Sequence, residues 1–87
     1  MSFPFKETHL QNDSYLREFE ESVDVDDLEW HRDREDRFVE IIGETDWQLQ
    51  MDNELPKKLS GKIFIPKETW HRVIKGTNEL KVKITKL

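Results

Sequence analysis

Gly61-Lys62-Ile63-Phe64-Ile65-Pro66-Lys67-Glu68-Thr69-Trp70-His71-Arg72-Val73-Ile74-Lys75-Gly76, read as GKIFIPKETWHRVIKG, decides the fold. It holds two short runs rich in β-branched and aromatic residues, on either side of Pro66-Lys67-Glu68. Such runs fit a pleated, half-buried surface. Pro66 has no N–H to donate and closes the first run, and the flanking glycines punctuate both ends. The stretch predicts strand, turn, strand.

The same style continues outward from it. Arg37-Phe38-Val39-Glu40-Ile41-Ile42 is apolar and β-branched. Asp46 to Asp52 alternates, with Trp47, Leu49 and Met51 on one face and Gln48 and Gln50 on the other. Glu79 to Leu87, ELKVKITKL, sets lysines against apolar residues, as the wet and dry faces of a strand require. Turn signals separate these runs at Gly43-Glu44-Thr45-Asp46, Asp52-Asn53, Leu59-Ser60-Gly61 and Gly76-Thr77-Asn78. Residues 22–33, SVDVDDLEWHRD, alternate in part. Residues 13–22, DSYLREFEES, fit either a helix, with Tyr15, Leu16 and Phe19 on one side, or an extended segment. Six or more short strands with no room for crossover helices predict an all-β barrel or sandwich of mainly antiparallel strands.

The 87 residues are one domain's worth of chain, and so short a chain has a small core. Three Trp, five Phe and one Tyr are too many apolar anchors for a disordered chain, despite 38% charged residues. There is no Cys, so disulfides, thiolate metal sites and Cys nucleophiles are excluded. The start lacks an apolar run of signal-peptide length and no stretch is long enough to span a membrane, so the cytoplasm is the expected compartment. Charge is asymmetric: residues 1–55 carry net −12 and residues 56–87 net +7. The basic third alternates with apolar residues and carries no stacking-aromatic motif, so it reads as a strand's solvent face rather than a nucleic-acid surface.

Two of the three histidines, His31 and His71, sit in the same tripeptide, Trp-His-Arg. In a strand, residues i and i+2 share a face, so His31 and Asp33 point the same way. His71 on a later strand completes two imidazoles and a carboxylate, a set suited to Fe, Mn, Ni or Zn. Two bland readings compete. Arg37 could pair with Asp33 and leave the histidines as ordinary hydrogen-bonded residues. The faces could also be reversed, with Trp30 and Trp70 inward. No phosphate loop, G-x-S-x-G or calcium loop is present.

HRDREDRFVEIIGE, from His31, resembles the first motif of the cupins, G-x5-H-x-H-x3–4-E-x6-G, and GKIFIPKETWHRVIKG resembles their second, G-x5-P-x-G-x2-H-x3-N. Residues 23–85 carry the likeness. His31, Pro66 and His71 match. Asp33 stands at the second His, Arg37 or Phe38 at the Glu, Glu68 at the Gly, and Lys75 or Gly76 near the Asn. The resemblance implies a small cupin-type double-stranded β-helix, or jelly-roll barrel, over 23–87, with 1–22 as an N-terminal extension. It implies a divalent metal on His31, Asp33 and His71, acting on a small polar molecule, with Arg37, Gln48 and Gln50 lining the pocket. Arg72 or Lys75 is the candidate for holding a co-substrate carboxylate, and Glu35 or Glu40 for a general base. It turns Trp30 and Trp70 outward as interface candidates, and a homodimer is expected. Phe3, Phe5, Tyr15 and Phe19 then pack on the partner or across the chain's own sheet. The alternative is a metal-free binding module with an Asp33–Arg37 ion pair.

Overall fold

A computed structural model describes residues 4–87. Among the described residues eight strands form two sheets, and the only helical element is a 3-10 turn at Val25–Asp27, whose Asp24 side chain accepts from the Asp26 N–H. The strands are β1 (Lys6–His9), β2 (Ser14–Phe19), β3 (Arg37–Ile41), β4 (Gln48–Met51), β5 (Lys57–Lys58), β6 (Lys62–Ile65), β7 (His71–Ile74) and β8 (Leu80–Lys86). One sheet runs β1-β2-β8-β3-β6 and the other β5-β4-β7, with every pairing antiparallel. The all-β, antiparallel architecture expected from the repeated short runs is the one observed.

Alternation sets which faces meet. Val39 and Ile41 on β3, Leu49 and Met51 on β4, Ile65 on β6, and Leu80, Val82 and Ile84 on β8 are buried between the sheets. Trp47, just before β4, is fully buried. Its indole N–H donates to the Asn78 carbonyl at 2.6 Å, and its ring lies 5.5 Å from that of Phe19. Gly76 is required beside it, since a Cβ there would come within 2.8 Å of the Trp47 ring.

Residues 13–22 resolve as strand, not helix. Ser14 to Phe19 pair in register with Thr85 to Leu80, placing Tyr15, Arg17 and Phe19 on the inner face and Ser14, Leu16 and Glu18 on the outer. The N-terminal part is therefore no extension of a barrel that begins at residue 23. β1 and β2 are strands of the larger sheet, and Phe5 and Phe19 pack on the chain's own core. Phe3 lies outside the described residues. Among the described residues no helix is long and apolar enough to cross a membrane.

Candidate metal centre

The two Trp-His-Arg tripeptides pair with each other. His31 and His71 stand directly opposite in an antiparallel bridge, the His31 N–H donating to the His71 carbonyl at 3.0 Å and the reverse at 2.9 Å. Their neighbours then fall opposite one another on the other face. Arg72 lies over the Trp30 ring at 4.8 Å and Arg32 over Trp70 at 5.2 Å. The repeated tripeptide is thus two halves of one cross-strand arrangement, with the Trp/Arg pairs on one face and the histidines on the other, where His71 is buried and His31 stays exposed.

On the inner face the imidazole centroids are 4.3 Å apart, edge to face. Each ring is held in the same way. The Nδ1–H of His31 donates to the Glu29 carbonyl at 3.1 Å and that of His71 to the Thr69 carbonyl at 2.8 Å. A carbonyl can only accept, so the proton belongs on Nδ1 and the lone pair on Nε2. This is how a ligating histidine is oriented from behind. Asp33 joins them as the two-residue spacing predicts. Its Oδ2 is 3.5 Å from the His71 Nε2, buried, and without a hydrogen bond. One ligand atom from each of the three residues lies within 4.8 Å of the others.

Arg37 is the fourth member. It enters from β3 and places Nη2 3.4 Å from Asp33 Oδ1, while its Nε and Nη2 both donate to Glu35 Oε1, at 3.1 and 2.8 Å. Lys86 approaches Glu35 at 3.8 Å. The Arg37 hydrogen bond lowers the Glu35 carboxyl pKa below its ordinary value of 4.5. Behind the site, the Asp33 carbonyl accepts from the Glu68 N–H at 2.7 Å. Glu68 has φ 60°, a left-handed conformation, which is the physical reason a glycine suits that motif position.

Burial pushes the His71 pKa below its ordinary 6.5, as do the nearby His31 and Arg37, against the raising effects of the Thr69 carbonyl and Asp33. The folded chain thus resists a proton that the unfolded chain takes up near 6.5. Stability is full above that value and is lost as pH falls through the window beneath it. The thermal midpoint of the protein in EDTA is expected to drop as pH falls below about 6.5 by this linkage. His71→Gln should flatten the slope; an unchanged slope would contradict the assignment.

Several expected site residues point elsewhere. Gln48 and Gln50 do not line the cavity, because they alternate with Trp47, Leu49 and Met51, whose apolar face is the inward one. Gln50 instead accepts from Arg72 Nε and Nη2 on the outer face, at 3.0 and 2.8 Å. Arg72 is therefore no carboxylate anchor, and Lys75 donates to the Val23 carbonyl. Glu40 is exposed on the outer face beside Lys62 and Lys83. Trp30 and Trp70 are exposed as expected, at 39% and 43%, but each carries a guanidinium over its ring rather than a bare apolar surface.

A cavity of about 440 Å³ opens beside the cluster. His31, Asp33, Arg37 and His71 line it together with Leu49, Leu80 and other core residues. Arg17, which sequence reasoning passed over, also lines it. Reading residues 13–22 as a strand would have revealed Arg17, since it shares a face with Tyr15 and Phe19.

No protein-family model matches the chain, and no curated protein matches it in sequence. Solved structures do. A cupin domain from Bordetella pertussis Tohama I is 20% identical, covers 100% of this chain and 98% of its own, with a TM-score of 0.65. Hydroxypropylphosphonic acid epoxidase from S. wedmorenis is 18% identical over 85% of this chain, with a TM-score of 0.62. An Fe(II) form of HppE is also 18% identical over 85% of this chain, with a TM-score of 0.63. This chain spans 42% of each of the last two. At these identities the likeness concerns the fold, which is cupin-like.

Proposed function

We propose that this cupin-like chain binds a divalent metal ion through His31 Nε2, Asp33 and His71 Nε2. The carrying observation is the buried, unbonded Asp33 Oδ2 beside the ring nitrogen of a histidine whose proton is fixed on the other side. A buried carboxylate oxygen with no partner is costly, and a cation is the partner that this donor set fits. Two imidazoles and one carboxylate suit Fe, Mn, Ni or Zn and leave coordination positions open. The Fe(II) form of HppE shows iron on a related fold and supports a metal of this class here. Such an ion would supply a Lewis acid or a site for oxygen chemistry. The chain's own residues hold the two rings by their backbone contacts, shelter the carboxylate, and present an adjoining cavity.

One observation favours a second reading. Arg37 already stands beside Asp33, and its guanidinium could substitute for a metal in a metal-free binding module. Titration of EDTA-treated protein with Fe(II), Mn(II), Ni(II) and Zn(II), followed by mass spectrometry of the dialysed product, separates the two. About one equivalent of one of these metals is expected, with Asp33→Asn weakening it by about tenfold, because an amide oxygen is a poorer ligand for a dication. No metal retained by wild type would leave the module.

A further inference from the structure

The cavity beside the metal cluster has a polar end, a long apolar wall and a second polar end. Its floor is apolar and nearly closed: Leu49 is 2% exposed and Leu80 1%. Phe5, Leu28 and Val73, only partly buried, line it as well. A sugar or nucleotide would leave its hydroxyls unsatisfied against such walls. An apolar body fits them.

Arg17 lies far from the metal cluster. It is opposite Val82, and Arg37 is opposite Lys86, four register steps along β8 and on its other side. Ladder spacing sets their Cα atoms about 16 Å apart. Both side chains line the cavity. Arg37 is already committed to two acids, Asp33 and Glu35. Arg17 has one, Glu7, which takes only its Nε, at 2.6 Å. Its guanidinium lies 4.3 Å from the centre of the Phe5 ring, and among the described residues no other group accepts from its terminal nitrogens. A planar guanidinium with a free edge on an apolar wall is a receptor for one carboxylate. Asp27 and Glu29 also line the cavity and disfavour a ligand with more than one negative charge.

We propose that the cavity takes an amphipathic monocarboxylate, its carboxylate on Arg17 and its aliphatic chain lying along the walls towards His71. The volume suits a chain of roughly eight to twelve carbons, small for a drug-sized pocket. This deepens the metal reading by placing the far end of such a ligand at the proposed ion, yet the anion contact itself is to Arg17 and needs no metal.

The test is calorimetric titration of octanoate, 1-octanol and succinate into the whole protein, both EDTA-treated and metal-loaded. Octanoate should saturate one site in the EDTA-treated protein, octanol more weakly, and succinate not at all. Arg17→Gln should weaken octanoate at least tenfold while leaving octanol unchanged. Arg17→Lys should restore part of the loss. Glu7→Gln should tighten octanoate several-fold, an effect that loss of packing would not produce. Circular dichroism checks that each variant is folded. Absence of saturable octanoate binding, an unchanged affinity in Arg17→Gln, or a preference for succinate would overturn the proposal. Protein that takes up metal but not octanoate keeps the metal reading and loses this one, and binding of octanoate by protein that never retains metal does the reverse.

Discussion

Trp47→Ala is expected to leave the chain largely unfolded at 37 °C. Its side chain has no exposed surface, packs on Phe19, and is closed in by the bare backbone of Gly76. Truncating a buried Trp costs about 3–5 kcal/mol in transfer and cavity terms. The Asn78 carbonyl also loses its donor, which adds about 1 kcal/mol or more. A domain this small has only about 4–13 kcal/mol of stability to lose. For a chain of this size each 1 kcal/mol moves the thermal midpoint by about 4–8 °C, so a loss of about 4–6 kcal/mol lowers it by roughly 16–48 °C. Thermal and denaturant melts followed by circular dichroism would measure it. A loss under about 1.5 kcal/mol would mean that the core closes around the gap far better than its burial implies.

The second large effect is a pair of opposite shifts in one titration. His71→Ala removes the buried imidazole and should weaken metal binding by roughly a hundredfold or more, since losing a ligand costs more than the ten- to hundredfold typical of its outer-shell supports. Arg37→Leu should do the reverse. In wild type a guanidinium 3.4 Å from Asp33 opposes any dication arriving there. The raw repulsion between such charges at about 5 Å is several kcal/mol at an effective dielectric near 20, and Glu35 offsets part of it. A gain of about 10–100-fold is therefore expected. The same variant leaves Asp33 without its cation, so the apo protein should melt lower and metal should rescue it by a larger margin than in wild type. If Arg37→Leu binds metal no better than wild type, the guanidinium is not a competitor for the site.

Much of the fold was legible because one face of β3, β4 and β8 is dry. The order Trp47-Gln48-Leu49-Gln50-Met51 tells its own burial, and β8 repeats the lesson with Leu80, Val82 and Ile84. The His31/Asp33 pairing followed from the two-residue period, and the likeness of GKIFIPKETWHRVIKG to a cupin motif brought His71 to the same place. Other features were not legible. Assigning Gln48 and Gln50 to the pocket overlooked that the cavity lies inside the apolar face, so its lining is the apolar set. Residues 13–22 are too short for one period to dominate, and only the pairing of β2 with β8 settles them. Arg72 shares its face with the tryptophans, and periodicity alone could not say whether that face was wet. The backbone carbonyls that hold both Nδ1 atoms carry no side-chain signal at all.

The His31–His71 bridge has a topological consequence. The chain has no cysteine and so no covalent staple of its own. A cation ligated from both sides of the bridge would join two points of the chain about forty residues apart, as a disulfide does elsewhere. Closing a loop of that length removes about 4 kcal/mol of chain entropy from the unfolded ensemble in the simplest polymer treatment. By that route the ion acts on the unfolded chain as much as on the folded barrel, and a chelator would work as a reductant does on a cross-linked domain.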